Sequence, residues 1–397
     1  MKQDSTPRLA PHLNCRLNRR QLLQLSGVSA LGLAALGSGL GAAARHSNRH
    51  SNGEIWFSAQ GNKASEYSLS WLTNGAKPTT VLSGFRGHGA ASDPLNPHRL
   101  VMFARRPGWQ GLVVDVTTPD RVQTFDAAPG CFMHGHGCFS ADGQWLFSTE
   151  SDIDSGIGKI VVRNSRTFAV EQLFDSGGIG PHDMALMPDG RHLVVANGGL
   201  LTHPKSGRKV LNLSSMRSTL SYVNVASGQL VEELTLPYDK ASIRHLDVTP
   251  DGTVAIATQL QRAAMKHEEA VPLAALHRPG SHELTPLSSP EPLLAQFNDY
   301  MGSVRINPHT GLAGFTSPRG NLVGFWDIHT AELAGYHPFF DVCGLTVSAD
   351  QQHFVLSNSA GEIRQLNART LQEQPHLRQR FDGMHWDNHL FTISLMS

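Results

Sequence analysis

The sequence has no excess of charge of either sign, since 33 lysines and arginines balance 33 aspartates and glutamates. No basic face or block of like charges is visible, so nucleic acid is not an expected partner. Aromatic residues make up only 7%, whereas the chain has 38 glycines and 22 prolines. This composition favours many turns and short strands, and therefore an all-β fold rather than a helical one.

Several short catalytic and cofactor motifs are also missing. The chain has no Gly-x-Ser-x-Gly nucleophile elbow, no phosphate-binding glycine-rich loop, no Cys-x-x-Cys-His haem attachment site and no His-Glu-x-x-His zinc helix. These absences leave the residues of the fold itself as the place to search for function.

Long apolar runs are absent except near the N-terminus. A basic segment containing Arg19 and Arg20 precedes the glycine-rich apolar stretch from Leu22 to Leu40, and small residues follow at 42–44. This pattern predicts a cleaved twin-arginine signal peptide over residues 1–44 and a linker over 45–53. A general secretory signal or an uncleaved anchor is the alternative. With cleavage, we expect a periplasmic protein with no membrane span.

Cysteine is scarce, with four in the chain. Cys15 leaves with the predicted signal, so three remain in an oxidising compartment and at least one thiol is unpaired. Cys131 and Cys138 could form a disulfide across a short loop, with Cys343 left over.

A repeated turn is the main feature that is present. The triplets 141–143, 188–190 and 250–252 read Ala-Asp-Gly or Pro-Asp-Gly between apolar strands, and looser copies occur near Gly311 and Gln351. Asp-Gly between strands is a strong hairpin signal, because glycine adopts positive φ without steric cost. A third and a fourth short strand follow most of these hairpins, which gives the four-stranded blade of a β-propeller.

Counting by turns predicts seven blades. Six are continuous, near residues 88–130, 131–178, 179–240, 241–300, 301–341 and 342–382. The segments 55–86 and 383–397 combine into a seventh, so the predicted fold is an all-β, seven-bladed propeller over 54–397 that the N- and C-terminal strands close. Which strand each end supplies stays open, because 55–58 and 390–393 both resemble second strands. Insertions are expected at 203–215 and 261–300.

Histidine is unusually frequent, with 21 residues. The first strand of a blade lines the central channel, and His88, His136 and His245 each stand four residues before the residue that precedes the turn. His182 and Cys343 stand five before it, and the last segment offers His385. We predict that His88, His136, His182, His245, His385 and Cys343 converge on a transition-metal site.

Imidazole and thiol ligands suit iron or copper, with zinc less favoured here. Asp183, Asp247 and Asp387 lie near these histidines in sequence, and could accept hydrogen bonds from their second ring nitrogens. The alternative is that the histidines are structural and tie loops together. Other histidines, His389 among them, are interpreted as surface or hydrogen-bonding residues. Arg86 and Arg244 could attract an anion, or could be solvated charges at the rim.

Several segments resemble one family of exported propellers. They are Arg86-Gly-His88, Gly180-Pro-His182-Asp183, Val195-Ala-Asn-Gly-Gly199, Ser242-Ile-Arg-His245-Leu246 and His385-Trp-Asp-Asn-His389. Together they are similar to the family called domain of unknown function 1513, over essentially all of the mature chain. The resemblance implies a periplasmic propeller that is commonly encoded beside imelysin-type and dihaem peroxidase-like proteins in what look like iron-acquisition clusters. It implies no activity.

These observations lead to one functional prediction and two alternatives. We predict a periplasmic propeller that binds metal through its histidines and assists iron or copper acquisition, and the sequence leaves open whether it catalyses a reaction. The first alternative is an interaction module that docks imelysin-like or dihaem peroxidase-like partners. The second is a metal-dependent oxidoreductase, since an imidazole-rich site does not suit calcium-dependent hydrolysis.

Overall fold

The computed structural model describes residues 53–73, 75–238, 240–265 and 270–394. The predicted signal peptide at 1–44 and nearly all of the predicted linker at 45–53 lie outside these ranges. Within them, no helix is both long enough and apolar enough to cross a membrane.

Seven four-stranded antiparallel sheets form a ring, so the predicted seven-bladed β-propeller is confirmed. Blade 1 consists of β1 (Glu54–Gln60), β2 (Ser68–Leu72), β3 (Thr79–Leu82) and β28 (Phe391–Ser394). Blade 2 consists of β4 (Gly87–Asp93), β5 (Asn96–Ala104), β6 (Gln110–Asp115) and β7 (Val122–Asp126). Blade 3 consists of β8 (Cys131–Phe139), β9 (Trp145–Asp152), β10 (Ile157–Asn164) and β11 (Val170–Ile179).

The other four blades follow in chain order. Blade 4 consists of β12 (Pro181–Leu186), β13 (His192–Asn197), β14 (Thr219–Asn224) and β15 (Leu230–Leu234). Blade 5 consists of β16 (Ala241–Val248), β17 (Val254–Leu260), β18 (Ala274–His277) and β19 (Thr285–Pro286). Blade 6 consists of β20 (Ser303–Asn307), β21 (Leu312–Ser317), β22 (Leu322–Asp327) and β23 (Leu333–Pro338). Blade 7 consists of β24 (Val342–Val347), β25 (His353–Asn358), β26 (Glu362–Asn367) and β27 (Gln379–Arg380).

Helical segments among the described residues are short. One α-helix, Glu291–Gln296, follows β19, and 3-10 turns occupy Ala64–Glu66, Pro204–Ser206, Arg262–Ala264 and Pro375–Leu377. The predicted insertion at 261–300 therefore needs a correction, because it contains the third and fourth strands of blade 5 as well as the helix.

Blade 1 joins the two ends of the chain, as predicted. Strand β28 pairs with β1, with Ile393 opposite Ile55, and its other neighbours are the first strands of blades 2 and 7. The C-terminal segment thus supplies the innermost strand of blade 1, and β1 becomes the second strand. This pairing closes the ring between blades 7 and 2.

The predicted Asp-Gly turns join the first and second strands of their blades. Gly143, Gly190 and Gly252 have φ values of 66°, 66° and 89°, which an L side chain rarely adopts. In the turn at 140–145, the Ser140 hydroxyl donates to the Asp142 carboxylate over 2.6 Å. These turns lie at one end of the propeller, and the opposite end carries the starts of the first strands.

Apolar side chains of the inner three strands pack between adjacent blades. Blades 1 and 2 share a buried cluster that includes Phe57, Trp71, Leu100 and Leu112. Full burial of such side chains stabilises the fold by about 1.5–3 kcal/mol each. The polar residues at the start of each first strand are therefore held on a rigid frame.

Candidate metal centre

Backbone irregularities mark the first strands where the predicted ligands lie. The pairing register shifts between Gly87 and Ala90 in β4, and between Met133 and Gly137 in β8. Similar shifts occur at 181–183 in β12, at 243–245 in β16 and at 342–344 in β24. A β-bulge turns a side chain away from its regular alternation, so the side chains at the starts of these strands do not follow a strict two-residue period.

Five histidines meet at this end of the propeller and form what we call the histidine centre: His88, His136, His182, His245 and His389. Their ring centroids are separated by 4.4 to 5.9 Å in the measured pairs. The Nε2 atoms of His88 and His182 are 3.3 Å apart. None of the five is more than 5% exposed, so the centre is closed to bulk water.

Two glycines make room for these rings. A Cβ on Gly89 would lie 2.5 Å from Nδ1 of His136, and one on Gly135 would lie 2.9 Å from Cδ2 of His88. Gly135 also has a φ of 111°, which favours glycine. Any side chain at either position would collide with an imidazole, so both glycines are part of the site.

Carboxylates and a hydroxyl face the Nδ1 atoms of three rings. Asp183 Oδ1 lies 3.0 Å from Nδ1 of His136, and Asp387 Oδ1 lies 3.4 Å from Nδ1 of His88. Ser303 Oγ lies 3.1 Å from Nδ1 of His389. An acceptor at Nδ1 holds the proton there and leaves the lone pair on Nε2, which is the arrangement of a metal-binding histidine.

Four nitrogen atoms of the centre are buried and have no hydrogen-bond partner among the described residues. They are Nε2 of His136, Nε2 of His389, Nδ1 of His182 and Nδ1 of His245. Because a buried polar atom without a partner costs about 1–3 kcal/mol, their concentration in one place is unusual. A metal ion would satisfy several of them at once.

Three overlapping groups have ligand atoms that all lie within 4.8 Å of one another. They are His88 with His136 and His389, His88 with His182 and His245, and His136 with Asp183 and His245. A single ion could use the three atoms of one group, and three protein ligands are the usual number at zinc sites that keep an open position.

Burial keeps His88, His182, His245 and His389 neutral. Removal from water lowers the pKa of His88, His182 and His389 well below the usual range, and lowers that of His245 to about 4. Burial alone would raise the pKa of Asp183, yet His136 and His245 hold it well below its usual value. These four imidazoles are therefore neutral and the Asp183 carboxylate is ionised at neutral pH, the protonation states that bind metal.

Four of the six predicted ligands come together here, and two do not. His385 lies elsewhere: its Nδ1 is 2.8 Å from the Ser359 carbonyl oxygen, and its Nε2 is 3.2 Å from Asn62. The Cys343 thiol donates to the carbonyl oxygens of Ser357 and Trp386 and belongs to none of the three groups. Both residues are satisfied by backbone oxygens, so we remove them from the candidate ligands.

His389, which the sequence indicated as a surface or hydrogen-bonding residue, is buried rather than exposed; it does bond Ser303, and it also belongs to the histidine centre. It directly precedes the Leu390-Phe-Thr-Ile segment, whose sequence resembles a second strand. In the structure this segment forms the innermost strand β28, so His389 lies at the head of its blade as the other four histidines do. Blade 6 supplies Ser303 in place of a histidine.

Among the predicted acceptors, Asp183 and Asp387 contact the histidines, whereas Asp247 does not. Asp247 accepts hydrogen bonds from Arg305 and from the backbone N–H of Ile306. Asp387 also binds Arg86, at 2.9 Å from Nη2 to Oδ2, so Arg86 is an ion-paired residue rather than a solvated charge.

Cys131, Cys138 and Cys343 are free thiols, and the disulfide considered between the first two is absent because both lie on β8.

Comparisons with known proteins agree with the fold. The chain is similar to hydrazine synthase of Kuenenia stuttgartiensis, with 15% identity, a TM-score of 0.56, and coverage of 79% of this chain and 89% of that one. At this identity the likeness concerns the fold alone. A comparison with curated proteins finds no match.

A family model described as "Protein of unknown function (DUF1513)" matches residues 81–393, which include the five histidines and most of the propeller. The sequence resemblance to this family is thereby confirmed. The chain belongs to the DUF1513 family.

Proposed function

We propose that the histidine centre binds one transition-metal ion, iron or copper, and that the protein assists acquisition of this metal in the periplasm. The main support for the metal site is the set of buried imidazole nitrogens that have no hydrogen-bond partner among the described residues, above all Nε2 of His136 and Nε2 of His389. Hydrogen bonds at Nδ1 hold both rings with these atoms available as ligands.

A purely structural cluster accounts less well for this arrangement. Histidines that tie loops together would spend both ring nitrogens on hydrogen bonds, as His385 does. In the histidine centre, rings contact one another instead, and Nε2 of His88 faces Nε2 of His182. Imidazole nitrogens suit iron, copper or zinc and do not suit calcium or magnesium, which prefer oxygen ligands.

Metal content tests the proposal. The protein is purified from the periplasm of its native host without affinity tags that bind metal, and metals are measured by mass spectrometry beside His136→Ala/His389→Ala and the control His282→Ala. His282 is exposed and pairs with Glu232. It lies in the connection between β18 and β19 and belongs to none of the three ligand groups. We expect about one iron or copper per wild-type and control chain, and loss of the metal from the double variant.

Two results would contradict the metal site. One is a wild-type protein that contains only trace metal and takes up none when iron(II) or copper is added. The other is metal that stays bound, with unchanged stoichiometry, in the double variant. Either result would favour the alternative of an interaction module, which capture of imelysin-like or dihaem peroxidase-like partners from iron-limited cells would then support.

Export is a separate part of the proposal. Replacing Arg19 and Arg20 by lysine should leave the precursor in the cytoplasm, because the twin-arginine pathway reads this pair. Normal processing and periplasmic recovery of that variant would exclude this route, and would leave the metal site itself untouched.

A further inference from the structure

Arginines gather at the end of the propeller that carries the histidine centre. Arg244 directly precedes His245 in β16, Arg106 follows the end of β5, and Arg208 lies in the loop between β13 and β14. The start of a first strand and the loop after a second strand share one end of a blade. Gly87 pairs with Ala104 in blade 2, and Ala241 pairs with Leu260 in blade 5.

Two of these arginines are more than nine-tenths buried, and their guanidinium groups have no ion-pair partner among the described residues. Arg244 is 7% exposed and Arg106 is 9% exposed. Neither forms an ion pair or a side-chain hydrogen bond with another described residue, and Nε of Arg244 is buried without a partner. Isolated buried charges are costly, so a native protein normally supplies a counter-charge.

The neighbouring carboxylate is already committed elsewhere. Asp387 binds Arg86 at 2.9 Å and lies 3.4 Å from Nη1 of Arg105 and from Nδ1 of His88. It therefore cannot neutralise Arg106 and Arg244 as well. The positive charge that remains includes that of Arg106, Arg244 and the more exposed Arg208.

These arginines lie close enough to act on one another. Burial, with the charges of Arg244, Arg208 and Arg105, lowers the pKa of Arg106 to about 9. Burial also lowers the pKa of Arg244 to about 10, with the charges of Arg208 and Arg105 adding to the effect. Both groups remain positively charged at neutral pH and repel each other.

We propose that Arg106 and Arg244 bind a small oxyanion with two negative charges, such as phosphate, beside the histidine centre. A guanidinium group offers parallel N–H donors that match two oxygens of one anion, and the anion would supply the counter-charge that the protein lacks. Tyr300 adds a phenol next to Arg244, where Asn388 Nδ2 donates to its oxygen over 3.0 Å. The anion site does not depend on the proposed metal, because it rests on the two arginines alone.

Calorimetric titration of the metal-free mature protein with inorganic phosphate tests this site. Chloride replaces phosphate at equal ionic strength as the salt control, and citrate tests whether carboxylates bind in the same place. The variants are Arg106→Gln/Arg244→Gln and the control Arg121→Gln, since Arg121 is an exposed arginine at the opposite end of blade 2.

We expect saturable phosphate binding to the wild type and to Arg121→Gln, and about tenfold or greater weakening in the double variant. His136→Ala/His389→Ala should still bind phosphate, which separates this site from the metal site. Tighter binding of citrate than of phosphate would show that the preferred ligand of this site is a carboxylate anion.

Three outcomes would overturn the anion site: no saturable binding of phosphate or citrate, binding of chloride with the same affinity, or equal phosphate affinity in the double variant. Should the double variant fail to fold, as judged by its circular dichroism spectrum, Arg106→Lys/Arg244→Lys replaces it. That variant keeps both charges but loses the parallel donors, and we expect about tenfold weaker phosphate binding from it.

Discussion

Two buried polar groups in this propeller differ in how completely their atoms are paired. Arg163 and Glu150, both almost fully buried, form an ion pair of 2.6 Å in blade 3. The Ser148 hydroxyl and the backbone N–H of Ala128 donate to the two oxygens of the same carboxylate, each over 2.8 Å. The histidine centre is equally buried, yet four of its nitrogens have no hydrogen-bond partner among the described residues.

This difference separates a structural role from a ligand-binding one. A buried polar group that serves only the fold is paired inside the protein, because each unpaired atom lowers stability. A group that awaits a ligand keeps its atoms available and loses some stability as a result. Mutation of the ion pair should therefore change the stability of the fold, whereas mutation of the histidine centre should mainly change metal binding and the dependence of stability on pH.

The largest effect is expected in the ion pair. Glu150→Ala would leave the Arg163 guanidinium buried without its carboxylate, and should lower the free energy of unfolding by about 3–5 kcal/mol. Urea denaturation measures this change, with Glu171→Ala as the exposed control, expected within about 0.5 kcal/mol of wild type. A loss below about 1 kcal/mol would show that this pair does not stabilise the fold as its geometry indicates.

A smaller effect is expected from acid on the metal-free histidine centre. The pKa of His245 is about 4 in the folded protein against 6.5 ordinarily, so between these values the unfolded chain binds more protons. Stability should therefore fall as the pH drops from 6.5 to 4, by about 3 kcal/mol for this residue.

Urea denaturation at several pH values, compared between wild type and His245→Ala, isolates this contribution from that of the carboxylates. The variant should lose less stability over the same range. Parallel pH profiles for the two proteins would refute the assignment to His245.

The next prediction concerns the acceptors behind the metal ligands. Asp183→Asn should weaken metal binding by about 10–100-fold, because the ionised carboxylate that orients His136 is lost. Asp247→Asn is the matched control: this residue has the same side chain and also lies in a first strand, but it contacts Arg305 instead of a histidine. Competition titration with a chelator measures both affinities, and equal losses in the two variants would contradict the role of Asp183.

The smallest effect is expected at His385, which the sequence suggested as a ligand. His385→Ala should leave metal stoichiometry and affinity unchanged and cost about 1 kcal/mol of stability through its lost hydrogen bond to Ser359. The same chelator titration applied to His389→Ala should show weaker binding. Loss of metal from His385→Ala alone would reverse the assignment of these two residues.

The blades could be predicted from local signals because each one repeats a turn that depends on neighbouring residues. Asp142-Gly143 and its copies require positive φ at glycine, and that requirement is readable in any window of the chain. The short strands after blade 5's hairpin were harder to read, since β19 has only two residues. The predicted insertion at 261–300 contained both β18 and β19, because strands of four and two residues are too short to show a clear alternating pattern.

Four of the five histidines of the candidate centre could be predicted from the sequence because they precede a recognisable turn. His88, His136, His182 and His245 stand four or five residues before the residue that precedes a turn, so the spacing from the turn located all four. Residues 390–397, which follow His389, contain no such turn. Cys343 has the same spacing but has its thiol bonded to backbone carbonyls, which no spacing in the sequence could indicate.

The sequence by itself determined the repeat, the number of blades and the end of each blade at which histidines occur, because those features depend on local turn chemistry and strand periodicity. The tertiary structure decided which strand closes the ring, which histidine joins from the C-terminal segment, and which arginines remain without a carboxylate. Those outcomes depend on contacts between residues more than three hundred positions apart, such as Arg86 with Asp387. Only the closed ring brings such residues together.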